Sequence, residues 1–413
     1  ITRDVPGWDM FRFTGTDLHD LIQFNHSRSL RTSHQPGCSL FPPDLELAQG
    51  WQWVNDRTLE IKLRPGVKFP NLPPMNGREF VASDVVFTIL EQWPKMAWYK
   101  PITDAIDSIV ATDKYTVRIN LKTPFAVFTE KALMADVANI VAPEIFEGKK
   151  VLERKDQNVG LGPFVLTDYV LGVKAVHKRN TNYWRMADGI PYLDGIDQYV
   201  IPDFSSQAAA IRSGKLDFFL AEREPPIVRQ LQETAPQLES KLCYFESPPS
   251  TTMRTDMPPF NDVRVRRAIS MAVDREAIMK TVYMGLGLPN YTGITPLLGD
   301  AHLKQQDLPP DIRRYLEFRP DEAKKLLAEA GYPNGFATTI IFTVRYGSTH
   351  KGVAEAMVDY LSKIGIKANL EIREYVRFQE TVLAAKYEGM AMVWASSGQD
   401  TDTPIWDTHH TSS

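Results

Sequence analysis

The sequence predicts an α/β protein of more than one domain. Three observations carry that expectation. The chain has 413 residues, too many for one hydrophobic core. Apolar residues alternate at period two in some stretches and recur at helical spacing in others. One stretch, TTIIFTVRYGSTHKGVAEAMVDYLSKIGIKANLEI, reads as a complete strand–helix–strand unit.

The elements follow in chain order. In WQWVNDRTLEIKLRPGVKFPN, Leu59, Ile61 and Leu63 alternate with Glu60, Lys62 and Arg64. That is a half-buried strand, and Asn55-Asp56 before it signals the turn of a hairpin. In REFVASDVVFTILEQW, Ser83 can cap a helix whose stripe is Val86, Ile89, Leu90 and Trp93. YTVRINLKTP from Tyr115 alternates again. Residues 51–153 therefore read as a small α+β unit.

VGLGPFVLTDYVLGVKAVHKRNTNYW gives two strands around a turn at Gly172. GIDQYVIPDFSSQAAAIRSGKLDFFLA gives a strand, a helix from Ser205 or Ser206 that ends at Gly214, and another strand. PDEAKKLLAEAGYPNG places Pro320 in a first helical turn and Gly331 just past the end, with Ala323, Leu326, Leu327 and Ala330 on one stripe. In the strand–helix–strand unit the first strand is Ile340 to Val344. A polar loop follows, then a helix striped by Val353, Ala356, Met357, Tyr360, Leu361 and Ile364. Gly365 ends it, and the second strand is Lys367 to Ile372. Both helical stripes read as core packing.

Composition excludes several classes. A formal net charge of -4 argues against a nucleic-acid partner or an anionic membrane surface. No apolar run reaches the roughly eighteen residues that span a bilayer. The opening ITRDVPGWDM has neither a basic n-region nor an apolar h-region. Cys38 and Cys243 form no CxxC pair and read as two reduced, buried thiols, with one disulfide between them in an oxidising compartment as the alternative. No HExxH, HxH, GxSxG, P-loop or GxGxxG occurs, so no metal, cofactor or catalytic motif is announced and the expectation is a non-enzyme.

The loops carry the candidate site. Ligands of open α/β sheets sit outside the carboxyl ends of the strands. Arg345 stands directly after one strand. Asp400 and Asp402 stand in MVWASSGQDTDTP, after a strand ending at Trp394. If those strands are neighbours, a cation and an anion share one edge. A zwitterion with a free amine and a free carboxylate suits that pair, and Arg can grip a carboxylate in bidentate fashion. The alternative is solvated loop charges, or a pair between Arg345 and Asp400.

Five stretches resemble, in order and spacing, the landmarks of the family 5 extracellular solute-binding proteins, the peptide-, nickel- and oligosaccharide-binding subunits of bacterial ABC importers. They are LAQGWQWVNDRTLEIKLRPGVKFPN with ASDVVFTI, VGLGPFVLTDY with RNTNYW, PPFNDVRVRRAISMAVDREAIMKTVYMGLG, FRPDEAKKLLAEAGYPNGF, and LSKIGIKANLEI. The resemblance runs from about Leu47 to Trp394. It implies a two-lobe periplasmic-binding-protein (Venus-flytrap) fold with a small α+β domain inserted in the first lobe. Lobe I takes 1–50 and 154–244, the inserted domain 51–153, and lobe II 245–413. The chain stops at WDTHHTSS, where family members return to lobe I, so the resemblance implies an incomplete chain.

The resemblance also implies roles. Asp400, with Asp402 as the near alternative, would hold the amine of a short peptide, and Arg345 its carboxylate. Thr14, Gly15 and Thr16 in FRFTGTDLHD would touch the ligand by backbone N–H groups. Trp394, Trp406 and Tyr346 would be stacking walls, with a place in the core as the alternative for each. Nickel-complex binders of the family often use His, and His350 reads as a solvent-exposed loop residue after Arg345. Leu161 stands where the family usually has Thr, and Arg254 where it has Asn. The implied protein is a monomeric, extracytoplasmic binder in the periplasm or on the outer face of the cell membrane. It closes on a peptide and docks on an ABC transporter permease, meeting the membrane only through that permease or a lipid anchor. An oligosaccharide ligand is the alternative; a sensor or membrane-complex subunit is a third.

Overall fold

The computed structural model describes residues 26–27, 30–32, 43–96, 99–134, 139–146, 158–220, 224–242, 249–289, 291, 294 and 302–394. The chain divides into two units, Ile1–Ser206 and Gln207–Ser413.

In the first unit, β1 (Leu30–Thr32) pairs antiparallel with β2 (Pro43–Leu45). The expected hairpin is β3 (Ala48–Asn55) with β4 (Thr58–Leu63). Its turn is closed by Asn55, whose Oδ1 accepts from Arg57 N at 2.9 Å, the local bond that suits Asn to turns. Next come helices α1 (Ala82–Phe87) and α2 (Lys100–Ala105), then strands β5 (Ile106–Asp113) and β6 (Thr116–Leu121). They complete a sheet of order β3-β4-β6-β5. Leu59, Ile61 and Leu63 are buried as their alternation requires, and the outward Glu60 faces Arg118 across the ladder at 2.6 Å.

The first helix departs from its expected form. Ser83 is not its cap; Asp84 reaches back to Val81 N at 3.0 Å. From Thr88 to Gln92 the turn widens to π geometry, and Thr88 Oγ1 donates to Asp84 O and Val141 O at 2.9 Å each. Val85, Ile89 and Trp93 are buried, while Leu90 is 49% exposed.

Strands β7 (Phe164–Val170), β8 (Lys174–Arg179) and β9 (Gly195–Tyr199) form an antiparallel sheet, with Gly172 in the expected turn. Helix α3 (Phe204–Arg212) ends at Gly214 as expected. The strand expected after it is not formed among the described residues; Phe218 and Leu220 are exposed. An apolar run without a partner ladder has nothing to pair its backbone. One buried core runs from Leu47 to Ala175 and joins this sheet to the four-stranded one.

In the second unit, α4 (Pro225–Thr234) leads to β10 (Pro249–Met253) and then to helices α5 (Val263–Ala272), α6 (Arg275–Thr281), α7 (Pro310–Arg313) and α8 (Pro320–Glu329). Asp262 and Asp274 cap α5 and α6 by accepting from Arg264 N and Ala277 N, at 2.8 and 2.9 Å. Pro320 opens α8 and Gly331 follows its end, as expected. The strand–helix–strand unit is β11 (Ala337–Phe342), α9 (Ser348–Lys363) and β12 (Lys367–Ile372), with the two strands parallel. Helix α10 (Tyr375–Leu383) and β13 (Met390–Trp394) complete the unit.

The sheet order is β10-β13-β11-β12. Gly389 lets β13 enter between its neighbours: its φ is +96°, and a Cβ there would lie 2.6 Å from Thr339 O. The core beneath joins Val265, Ala268, Leu327, Ile340, Met357, Leu361 and Met390. The expected stripes of α8 and α9 are thus core, with Ala323, Leu327, Met357 and Leu361 buried.

Candidate functional site

Strands β11 and β13 are parallel neighbours, with Ile340 opposite Met390 and Ile341 opposite Ala391. Their carboxyl ends therefore share one sheet edge. Arg345, just past β11, and Trp394, the last residue of β13, stand at that edge together. The condition set by the sequence is met on the strands themselves. Asp400, Asp402, Trp406, Thr14, Gly15 and Thr16 lie outside the described residues, as do Cys38 and Cys243.

Strand β11 ends two residues earlier than expected because of Thr343. Its hydroxyl accepts from Arg345 N at 3.4 Å and turns Val344–Tyr346 into a 3-10 turn. That turn raises Arg345 beside Tyr375, with the guanidinium carbon 5.7 Å from the ring centroid. An Arg so placed gains from the ring quadrupole while its donors remain in plane.

Tyr346 is the hub beneath. It is 8% exposed. Its ring meets Tyr375, Phe378 and Trp394 edge to face, at 5.9, 5.9 and 5.7 Å. Gln379 Nε2 donates to its hydroxyl at 2.9 Å and to that of Tyr375 at 3.2 Å. Tyr346 thus supports the edge from within, and half-buried Trp394 is packed by it. This aromatic set forms a small core of its own with Ile341, Tyr387 and Ala391.

His350 is a correction. The polar loop expected after Arg345 is a short turn, and α9 begins at Ser348. His350 sits in its first turn, fully buried, with its ring 4.5 Å from that of Trp394 and 4.7 Å from that of Tyr346. Among the described residues no group of three His, Cys, Asp or Glu could hold a metal ion. Also among them, no helix is long and apolar enough to cross a membrane.

Sequence reading missed Tyr375, Phe378 and Gln379 on α10. The signal was there: Tyr375, Phe378 and Val382 recur at helical spacing in YVRFQETVL. It also missed Glu224, whose Oε1 accepts from Ser348 N at 2.9 Å. No local pattern links residues 124 apart. Beyond β12 a hollow of about 400 Å³ opens on the same edge, lined by Arg373, Arg377, Lys386 and Glu371 among others. The two departures noted in the sequence have structural roles. Leu161 is buried in the first core and its carbonyl accepts from Ser27 Oγ at 3.0 Å. Arg254 grips Asp256 through two bonds of 2.7 and 2.6 Å and donates to the carbonyl of Ala385.

Relatives by sequence include heme-binding protein A of Haemophilus influenzae, 28% identical over 382 residues, covering 86% of this chain and 66% of that protein. A dipeptide-binding protein of Pseudomonas aeruginosa is 27% identical over 424 residues, covering 96% and 75%. The chain thus spans about two thirds to three quarters of their lengths. Among solved structures, the oligopeptide-binding protein AppA of Bacillus subtilis in complex with a nonapeptide superposes with a TM-score of 0.79 at 24% identity, covering 100% of this chain and 81% of that one. That likeness shows the fold, which is the periplasmic-binding-protein class expected from the sequence. The sequence model for bacterial extracellular solute-binding proteins, family 5 middle, matches residues 43–413. The chain belongs to the bacterial extracellular solute-binding proteins of family 5.

Proposed function

We propose that this chain is an extracytoplasmic binding protein that captures a short peptide and delivers it to an ABC importer permease, without catalysing a reaction. The observation that carries the reading is the shared edge of β11 and β13. There Arg345 is raised on a fixed turn, and the adjacent strand ends at Trp394, six residues before Asp400 and eight before Asp402 in sequence. A cation and an anion at one edge suit the two ends of a zwitterion. Relatives named as dipeptide- and oligopeptide-binding proteins support a peptide as that zwitterion.

Asp400 takes the amine in this reading, with Asp402 as its alternative, and Arg345 takes the carboxylate. Trp394 and Trp406 are walls, Tyr346 supports Trp394, and Thr14, Gly15 and Thr16 contribute backbone donors. The division into lobe I, the inserted domain and lobe II belongs to the same proposal, as does a monomeric state.

The test is native mass spectrometry of gently purified protein, followed by denaturation. Released short peptides are the expected result. A hexose-series mass would replace the peptide by an oligosaccharide and remove Arg345 from the site. Asp400→Ala and Arg345→Ala should each weaken peptide binding by roughly tenfold or more. Normal binding by both variants would refute the assignment.

A further inference from the structure

Helix α9 starts three residues after Arg345 and has no cap of its own. Gly347 stands at the cap position without a side chain to offer. The missing acceptor comes from Glu224, which is 9% exposed and takes the Ser348 N–H at 2.9 Å. Glu224 also begins α4: its carbonyl accepts from Ile227 N and Val228 N at 3.0 and 3.2 Å. Two helices thus start on one residue.

That residue is held firmly. Arg229, one turn along α4, donates to Met284 O at 2.9 Å. Burial pushes the pKa of the neighbouring Tyr283 phenol up. Val282 packs so closely on α9 that a Cβ at Gly352 would meet it at 2.8 Å. The carboxylate of Glu224 is therefore built into the start of α9.

The positive end of a long helix attracts anions. Here the protein's own carboxylate fills that place. Three residues of chain reach at most roughly 11 Å, so the Ser348 N–H that Glu224 takes lies within that span of the Arg345 backbone. We infer that Glu224 is a positioning residue that sets the charge preference of the ligand at Arg345. It cancels the positive end of α9, so that Arg345 alone receives one carboxylate. A second acidic group on the ligand meets repulsion there, and a basic one does not. The inference rests on the reading of Arg345 as the carboxylate receptor.

The experiment is isothermal titration of the whole chain with the tripeptides Ala-Ala-Ala, Ala-Ala-Glu and Ala-Ala-Lys. Glu224→Gln keeps an oxygen for Ser348 N and removes the charge. It should shift the preference between Ala-Ala-Glu and Ala-Ala-Lys by roughly four- to fifteenfold toward the acidic peptide, as expected for a unit charge roughly 10–20 Å away at an effective dielectric of about 20. Arg345→Ala should lower all three affinities. In the native protein the same preference should narrow as salt rises from about 20 to about 500 mM, a reading that needs no variant. An unchanged preference in Glu224→Gln, with Arg345→Ala weakened for all three, overturns this inference alone. Unchanged binding in Arg345→Ala, or no tripeptide binding by the native chain, overturns the site reading and this inference with it.

Discussion

The ring of Trp394, at the end of β13, meets the ring of Tyr346 edge to face at 5.7 Å. The proposed wall residue and its support therefore come from the ends of two adjacent parallel strands. Removing the support should disturb the wall. Tyr346→Ala should cost about 3–5 kcal/mol, as for other large aromatic truncations in cores. Tyr346→Phe loses the Gln379 hydrogen bond and should cost about 1 kcal/mol. Urea unfolding followed by Trp fluorescence separates the two. Equal losses would mean that the hydroxyl, not the ring, is what matters.

Arg345→Lys keeps the charge but not the planar fork. It should weaken a peptide with a free carboxylate by roughly three- to tenfold, by losing the bidentate geometry. A peptide amidated at its C-terminus should bind Arg345→Lys and native protein alike. Titration of both peptides decides the point, and an amide-insensitive loss would place Arg345 elsewhere in the site.

Two exposed carboxylates should give the folded protein an acid limit. Hydrogen bonds from Arg254 hold Asp256 down to about 2. Lys114 foremost, with the Tyr115 hydroxyl and Gly66 N, holds Glu79 down to about 2. Their unfolded values lie near 4. Depressed carboxylates contribute stability that is fully present above about pH 4 and is lost as pH falls through about 2. Melting temperature should therefore drop in that window. The double variant Asp256→Asn, Glu79→Gln should show a shallower drop there, and an identical slope would exclude these two groups as its cause.

Gly389→Ala puts a Cβ at 2.6 Å from Thr339 O on a residue with φ of +96°. Strain and overpacking together should cost about 2–4 kcal/mol. A lowered denaturation midpoint with an unchanged slope is the expected signature; a midpoint matching that of the native chain would mean that β13 shifts to make room.

Much of the architecture was legible because it repeats at short range. The hairpin at Asn55, the turn at Gly172 and the helix opened by Pro320 each carry local chemistry that allows few alternatives. Of the candidate site, what was legible is that Arg345 and Trp394 stand at the ends of two strands, which the structure makes neighbours. Leu90 misled because the helix takes π geometry from Thr88 to Gln92, where the Thr88 hydroxyl also bonds the Val141 carbonyl 53 residues away. His350 misled because the cap of its helix is Glu224, which no window around His350 contains. Long-range acceptors of this kind leave no period in the sequence.

The strand order β10-β13-β11-β12 has a consequence for synthesis. The last described strand lies inside the sheet, between two made earlier. While the ribosome is still short of Met390, β10 and β11 each offer an unpaired ladder to any extended chain nearby. Nascent or prematurely terminated chains should thus aggregate through those two edges.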